Sequence, residues 1–465
     1  MKTLIKNGNI VNEGKTFVGD IIVNDDTIVS INENENQNEN ENADGVQNII
    51  DATGCYVLPG IIDDHVHMRE PGLTAKGDID SETRAAAAGG VTTVFDMPNT
   101  VPQTTTLEEL DSKFSIAATK SHVNYSFFFG ATNDNTALFE HLDTTRIPGI
   151  KVFMGSSTGN MLVDRDEALD RIFREAPLPL MTHCEDTAII NRNAQYFKDT
   201  YGDDPDVWAH QLIRSEEACL ASTVKAIELA VKHGRQLHIA HVSTQGELEL
   251  FATDEHGMTR NRIDLVRDSP CPSVAMITAE AAVGHLLFST VDYQRLGTRI
   301  KVNPAIKSCA DREELRQAIA DGRISVVATD HAPHLLTDKQ GGCFRAASGM
   351  PMVQFALPAM LGLVSDGIIT IERLVELMAH NPARIFSVSG RGFLRKGYKA
   401  DITIVRPDST WTVGTDIIES KCGWSPLEGQ TLRWRVDKTL CNGHTVYDGR
   451  HVDSRYIAQP VRFER

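Results

Sequence analysis

A chain of 465 residues, 41 % hydrophobic and 23 % charged, has the material for a large core and is too long for one small domain. Its formal net charge of −17 argues against nucleic acid as a partner, because phosphate-binding surfaces need clustered Lys and Arg, and no apolar run approaches the ~20 residues of a membrane span. The opening Met1-Lys-Thr-Leu-Ile-Lys-Asn-Gly has no signal-peptide pattern and the eight cysteines form no CxxC pair, so the expectation is a cytoplasmic protein with reduced thiols.

Residues 2–31 hold short β-type runs, Thr3-Leu-Ile and Asp20-Ile-Ile-Val-Asn, separated by Asn-Gly and Asp-Asp turn signals, which predicts a small antiparallel unit. Asn32–Asn42 contains only Asn, Glu and Gln; it can bury nothing and reads as a solvated loop between strands. The apolar run Cys55–Ile62 reads as a buried strand leading into Asp63-Asp64-His65-Val66-His67-Met68-Arg69-Glu70-Pro71-Gly72. From residue 55 to about 395, apolar strands alternate with helical stretches. Strands are expected at Val91–Asp96, Gly149–Phe153, Leu178–His183, Gln236–Val242, Arg299–Asn303 and Ile324–Asp330. Ser81–Ala88 predicts an Ala-rich helix capped by Ser81, and Ser215–His233 and Arg312–Ala320 predict two more. This alternation predicts α/β architecture, a parallel (β/α)8 TIM-like barrel with its chemistry at the carboxyl ends of the strands. After about 395 the β-type runs return at Asp401-Ile-Thr-Ile-Val, Thr410-Trp-Thr-Val and Thr445-Val-Tyr-Asp-Gly. Residues 1–54 and 396–465 are therefore expected to build one flanking β-sandwich around a catalytic barrel of residues 55–395.

Residues two apart on a strand point the same way, so His65 and His67 present two imidazoles side by side, a pair suited to zinc-like divalent metals. Taken alone, His-x-His is as well explained by two satisfied polar side chains. Lys151 stands inside an apolar strand, where lysine is rare unless paired or modified. Either it snorkels to the barrel mouth, or it is carboxylated and its carbamate oxygens bridge two metals. His183 and His241 end further strands, whereas His238, three residues before His241, faces the other way and reads as a packed or supporting residue. Asp330, in Asp330-His-Ala-Pro-His334, adds a carboxylate. Jointly, His65, His67, Lys151, His183, His241 and Asp330 offer ligands for two cations, an arrangement that generates a hydroxide nucleophile near neutral pH. Asp330 can also accept the proton of that nucleophile and return it to a leaving nitrogen.

The order His-x-His, Lys, His, His, Asp resembles the amidohydrolase superfamily, metal-dependent hydrolases with a (β/α)8 barrel and a flanking β-sandwich. More narrowly, His65-Val-His-Met-Arg69-Glu-Pro-Gly, Phe95-Asp-Met-Pro-Asn99-Thr, Lys301-Val-Asn303-Pro, Asp330-His-Ala-Pro-His334 and Lys421-Cys-Gly-Trp-Ser-Pro-Leu resemble the dihydroorotases over essentially the whole chain. The resemblance implies two Zn2+ bridged by carboxylated Lys151 and a hydroxide. His65, His67 and Asp330 would hold the more buried ion, and His183 and His241 the second. It implies that Asp330 is the general base, that Arg69, Asn99 and His334 grip a substrate carboxylate, and that Asn303 contacts the pyrimidine ring. A guanidinium fork matches a carboxylate bidentately. The implied reaction is the reversible cyclisation of N-carbamoyl-L-aspartate to L-dihydroorotate in de novo pyrimidine biosynthesis, and the implied assembly is a homodimer.

Plainer roles are a surface ion pair with Glu70 or Asp64 for Arg69, and turn positions beside proline for Asn99 and Asn303. Leu335–Ala347, aperiodic and Gly-containing, is implied to close over the ring. The chain departs from many bacterial relatives twice: Lys151 stands where they carry Asp, and Gly284 replaces the first of two successive histidines, outside the ligand set. Allantoinases and hydantoinases share the metal ligands but act on rings without a carboxylate, so Arg69 with Asn99 favours dihydroorotate. A catalytically dead homologue would be expected to lose ligands, and all six are present.

Overall fold

The computed structural model describes residues 1–33, 45–155, 161–253, 259–261 and 276–465. Residues 34–42 of the Asn/Glu-rich loop, and Cys271, lie outside the described residues; the other seven cysteines are free thiols.

Eight parallel strands close into a barrel: Ile61–Val66, Val91–Asp96, Asn124–Phe127 (continued by Phe129–Gly130), Ile150–Phe153, Leu180–His183, Leu237–Ile239, Ile277–Ala282 and Val326–Ala328. The last strand meets the first through a parallel bridge between His331 and Val66, where His67 N donates to His331 O (2.7 Å). Two of these strands were not legible. Arg299–Asn303 is a short 3-10 turn, Gly297–Ile300, followed by a loop, and the seventh strand is Ile277–Ala282 instead. Its composition, Ile-Thr-Ala-Glu-Ala-Ala, lacks the β-branched run that marks buried strands, although all six residues are buried. Asn124-Tyr-Ser-Phe127, the third strand, is similarly masked by polar residues.

The helices follow local chemistry. Ile79–Ala88 is capped by Asp78, which accepts from Ser81 N in a reciprocal capping box, so the cap lies three residues before the one expected. Glu216–His233 is capped by Ser215 and stops at left-handed Gly234 (φ 62°).

The run Cys55–Ile62 forms two strands rather than one. Tyr56–Pro59 joins the flanking sheet, parallel to Lys2–Asn12 and antiparallel to Ile402–Arg406, and Ile61–Val66 opens the barrel. Gly60 makes the junction; a Cβ there would stand 2.1 Å from Thr92 Oγ1. The flanking sheet runs His444–Tyr447, Arg435–Cys441, Ile402–Arg406, Tyr56–Pro59, Lys2–Asn12, Lys15–Asn24, Thr27–Glu33, with Asn48–Asp51 also paired to Lys2–Asn12. Strands from both halves of the chain thus share one β-sandwich core, including Ile5, Ile21, Val57, Ile402 and Leu440. Inside the barrel, Phe95, Phe128 and Phe386 meet edge to face at 5.7 to 6.5 Å, and His238 packs on Phe386 at 5.5 Å. Among the described residues no helix is long and apolar enough to cross a membrane.

Candidate active site

The carboxyl ends of the barrel strands open into a cavity of about 730 Å³. His65, His67, Arg69, Asn99, His183, His241, Asn303, Asp330 and His334 all line it, and Lys151 is fully buried within range of the Glu280 and Asp330 charges. All ten residues singled out from the sequence are therefore gathered in one region.

Three of the four histidines have one ring nitrogen tied to an acceptor. His65 Nδ1 donates to Glu280 Oε1 (2.9 Å), His67 Nδ1 to Asn99 Oδ1 (2.8 Å) and His183 Nε2 to Glu185 Oε2 (2.9 Å). In the neutral ring, each such bond leaves a lone pair on the other nitrogen. Burial pushes His67 down to about 4 and holds His183 and His241 below the ordinary histidine value, so these rings stay neutral at pH 7. Burial works to raise the Asp330 carboxyl, but His65 and His67 outweigh it and hold it below the carboxylate range. His67 Nε2 lies 3.1 Å and His65 Nε2 3.6 Å from Asp330 Oδ1. A neutral imidazole lone pair facing a carboxylate oxygen has no proton to share, which is the donor arrangement a cation would satisfy.

Beside this cluster, His183 Nδ1 and His241 Nε2 stand 2.9 Å apart, while His241 Nδ1 and Lys151 Nζ are buried without a hydrogen-bond partner among the described residues. Burial pushes Lys151 down to about 8, so its unprotonated amine is accessible near neutral pH. Imidazole nitrogens, a carboxylate and an amine open to carboxylation are a donor set that fits borderline divalent metals such as zinc.

The backbone carries strain here. Arg69 (φ 67°), His241 (φ 39°) and Asp330 (φ 46°) occupy the left-handed region, which costs a non-glycine residue on the order of 1 kcal/mol. A buried carboxylate holds a main-chain amide at or next to each one: Asp96 Oδ1 accepts from Met68 N (2.7 Å), Glu280 Oε1 from His241 N (3.0 Å) and Asp63 Oδ1 from Thr329 N (3.1 Å). Lys113, fully buried, pairs with Asp96 at 2.5 Å. Arg69 thus enters the cavity from a turn beyond the strand, not from a continuing extended chain. Gly72 in the same turn has φ 81°, and a Cβ there would stand 1.8 Å from Val101 O.

The far wall is cationic. Arg69 Nε donates to Pro333 O (3.0 Å) and its Nη2 to His334 Nε2 (3.1 Å), while Glu70 pairs with Lys120. Lys76 Nζ stands 3.1 Å from the other ring nitrogen, His334 Nδ1. A neutral imidazole accepts from only one of these donors, and Asp338 Oδ2 stands at a loose 3.8 Å from Lys76 Nζ, so the two cations can still turn to an incoming anion. Trp424 Nε1 fixes the His334 carbonyl (2.7 Å), which accounts for the Lys421–Leu427 motif. Asn303 Oδ1 lies 3.1 Å from His210 Nε2. Over the cavity, residues 343–349 are fastened by Lys339, whose buried ammonium donates to the carbonyls of Lys301 (3.0 Å), Ala347 (2.7 Å) and Gly349 (2.7 Å).

A family model described as the amidohydrolase family matches residues 56–446. The chain belongs to the amidohydrolase family. Curated relatives named dihydroorotase include those of Halobacterium salinarum, 36 % identical and covering 88 % of this chain and 92 % of that one, and Clostridioides difficile, 30 % identical and covering 96 % and 99 %. Among solved structures, the L-hydantoinase (dihydropyrimidinase) of Arthrobacter aurescens superposes with a TM-score of 0.87 at 26 % identity, covering 97 % of both chains. The dihydropyrimidinase of Brevibacillus agri (TM-score 0.85, 22 % identity, full coverage of both chains) shares the fold. Amidohydrolases are metal-dependent, and the His65, His67 and Asp330 donor atoms, all within 4.8 Å of one another, form a candidate cluster in this member.

Reading the sequence missed the partners that orient this amidohydrolase's histidines. Glu185 sits two residues after His183 and could have been found from that spacing. Glu280 lies 215 residues from His65, with no local signal to connect them. At Gly284 a Cβ would stand 2.0 Å from Met350 Cε, so the space beside this glycine is filled by a distant methionine.

Proposed function

We propose that this amidohydrolase is a dihydroorotase, a cytoplasmic homodimer of pyrimidine biosynthesis that interconverts N-carbamoyl-L-aspartate and L-dihydroorotate. The observation that carries the reading is the cationic corner of Arg69, His334 and Lys76 opening onto the same cavity as the His65–His67–Asp330 cluster. A ring bearing a carboxylate needs both features; an uncharged hydantoin or dihydrouracil needs only the second. The curated relatives support the same substrate.

In this reading His65, His67 and Asp330 would hold one zinc and His183 and His241 a second, and Lys151, once carboxylated, would contribute a carbamate ligand. When bound, the ions supply Lewis acidity toward the ring carbonyl and ease deprotonation of the attacking water. Arg69 grips the substrate carboxylate with a fork of parallel donors, and His334 and Asn99 complete the grip. Asn303 faces the ring. Asp330, held ionised, takes the proton of the attacking water and hands it to the ring nitrogen as the amide C–N bond breaks; cyclisation runs the same transfers backwards. Residues 335–347 cover the ring and exclude bulk water. The same reading assigns catalysis to a barrel of residues 55–395 and support to residues 1–54 and 396–465.

The test is turnover of L-dihydroorotate beside allantoin, hydantoin and dihydrouracil, with metal content measured on the same samples. Arg69→Met should lower kcat/KM for dihydroorotate by ~10–100-fold, the worth of a charged bidentate contact, with metal retained. Preferential turnover of a ring without a carboxylate would shift the reading toward the Arthrobacter aurescens hydantoinase type.

A further inference from the structure

We propose that Glu280 is a positioning residue that ties the two halves of the metal site together; this rests on the two-metal reading above. Glu280 is fully buried on the seventh barrel strand, Ile277–Ala282. Its Oε1 accepts from His65 Nδ1 (2.9 Å) and from the main-chain N–H of His241 (3.0 Å). His65 belongs to the cluster with Asp330, and His241 to the pair with His183. One oxygen therefore serves both subsites, in two different ways.

For His65 the contact sets the tautomer: with the proton on Nδ1, Nε2 presents a lone pair toward Asp330. For His241 the contact secures main chain. Its φ of 39° is unfavourable for a β-carbon residue, and releasing the amide lets the segment relax toward ordinary backbone and carries Nε2 away from His183 Nδ1. Glu280 Oε2 lies 3.6 Å from His238 Nε2, which also stands 3.4 Å from Asp64 Oδ2, and His238 Nδ1 is bonded to Thr278 Oγ1 (2.8 Å). His238 thus stands buried between the Asp64 and Glu280 carboxylates at ion-pair distance from each.

Glutamine at this position keeps the shape but loses the charge that strengthens both bonds, and it has one oxygen: left with His65 and His241 it turns its NH2 toward His238 Nε2, and flipped it presents that NH2 to both donors. Glu280→Gln should therefore weaken both metal-binding steps of the metal-free, full-length protein, each by ~10–100-fold, in a zinc titration against a chromophoric chelator. Asn99→Ala, which removes the partner of His67 alone, should weaken one step only. The thermal unfolding midpoint of metal-free Glu280→Gln should stay within a few degrees of the parent, which separates positioning from general loss of structure.

Two unchanged steps in Glu280→Gln, or only one weakened, overturn the proposal and leave the dihydroorotase reading standing. Failure of the parent protein to take up zinc removes both. A wild-type measurement guards against a variant that does not fold: 15N spectra of histidine-labelled, metal-free protein should show His65 protonated at Nδ1 and not at Nε2, and the opposite tautomer overturns the proposal.

Discussion

Lys151 shows most clearly how a buried charge-bearing residue can reveal chemistry. Its amine is fully buried, makes no hydrogen bond among the described residues, and lies 5.4 Å from the Phe153 ring. An unpaired buried amine destabilises the protein that holds it. Lys151→Met should therefore raise the unfolding free energy of the metal-free enzyme by roughly 1 kcal/mol, read by denaturant titration, while second-metal uptake and turnover fall at least ~100-fold. A carbamate signal in 13C spectra after labelling with 13C-bicarbonate should be present in the parent and lost in the variant. Glu185 makes a different prediction. Burial works to raise its carboxyl, yet Arg214 and His183 bring it down to about 2 from 4.5. A carboxylate depressed in the folded state stabilises above its ordinary value and loses that contribution as pH falls. Metal-free protein should lose stability between pH 4.5 and 2, and Glu185→Gln should flatten the curve in that window. At this scale the histidines and the aspartate that line the cavity were legible because each sits beside a strand end in a short motif. Asn99 was legible as a pocket residue, but its bond to His67 was not, since nothing in Pro98-Asn99-Thr100 fixes where an amide oxygen points.

Among the elements, the segment 335–347 and the Phe95–Phe128–Phe386 cluster lend themselves to separate tests. Lys339→Met strips three carbonyls of their common donor, so it should loosen the cover, raise KM several-fold and expose the segment to limited proteolysis, with metal content unchanged. Phe386→Ala opens a hole between Phe95 and Phe128 and should cost ~3–5 kcal/mol in calorimetry or denaturant titration. Strand alternation was readable wherever β-branched residues met a turn signal, as at Val91–Asp96. It failed at Ile277–Ala282 because the barrel interior there demands a buried carboxylate and small neighbours, a tertiary requirement that overrides local propensity. Cys55–Ile62 reads as one strand because the run is apolar, whereas the close approach of Thr92 to Gly60 makes that glycine the boundary between two sheets.

The whole molecule is held together across that boundary. Thr403 Oγ1 donates to Gly90 O (2.6 Å), Thr439 Oγ1 to Ala87 O (2.7 Å) and Asn124 Nδ2 to Asp401 Oδ2 (3.1 Å), and Asp401 also pairs with buried Arg391. Residues 55–395 expressed alone should consequently be insoluble, and co-expression with the remaining segments should recover them in part, read by sedimentation of cell lysates. That both ends of the chain are β-rich was visible from composition; that Ile402–Arg406 lies beside Tyr56–Pro59 was not, because sheet neighbours distant in sequence leave no periodic trace. This pairing has a consequence for how the protein is made. Tyr56–Pro59 leaves the ribosome about 340 residues before its antiparallel partner, a delay of roughly 20–70 s at ~5–20 residues per second. Through that interval the nascent chain displays an open strand edge directly joined to the segment that carries His65, so newly made protein should depend on chaperones that shield such edges until synthesis is almost complete.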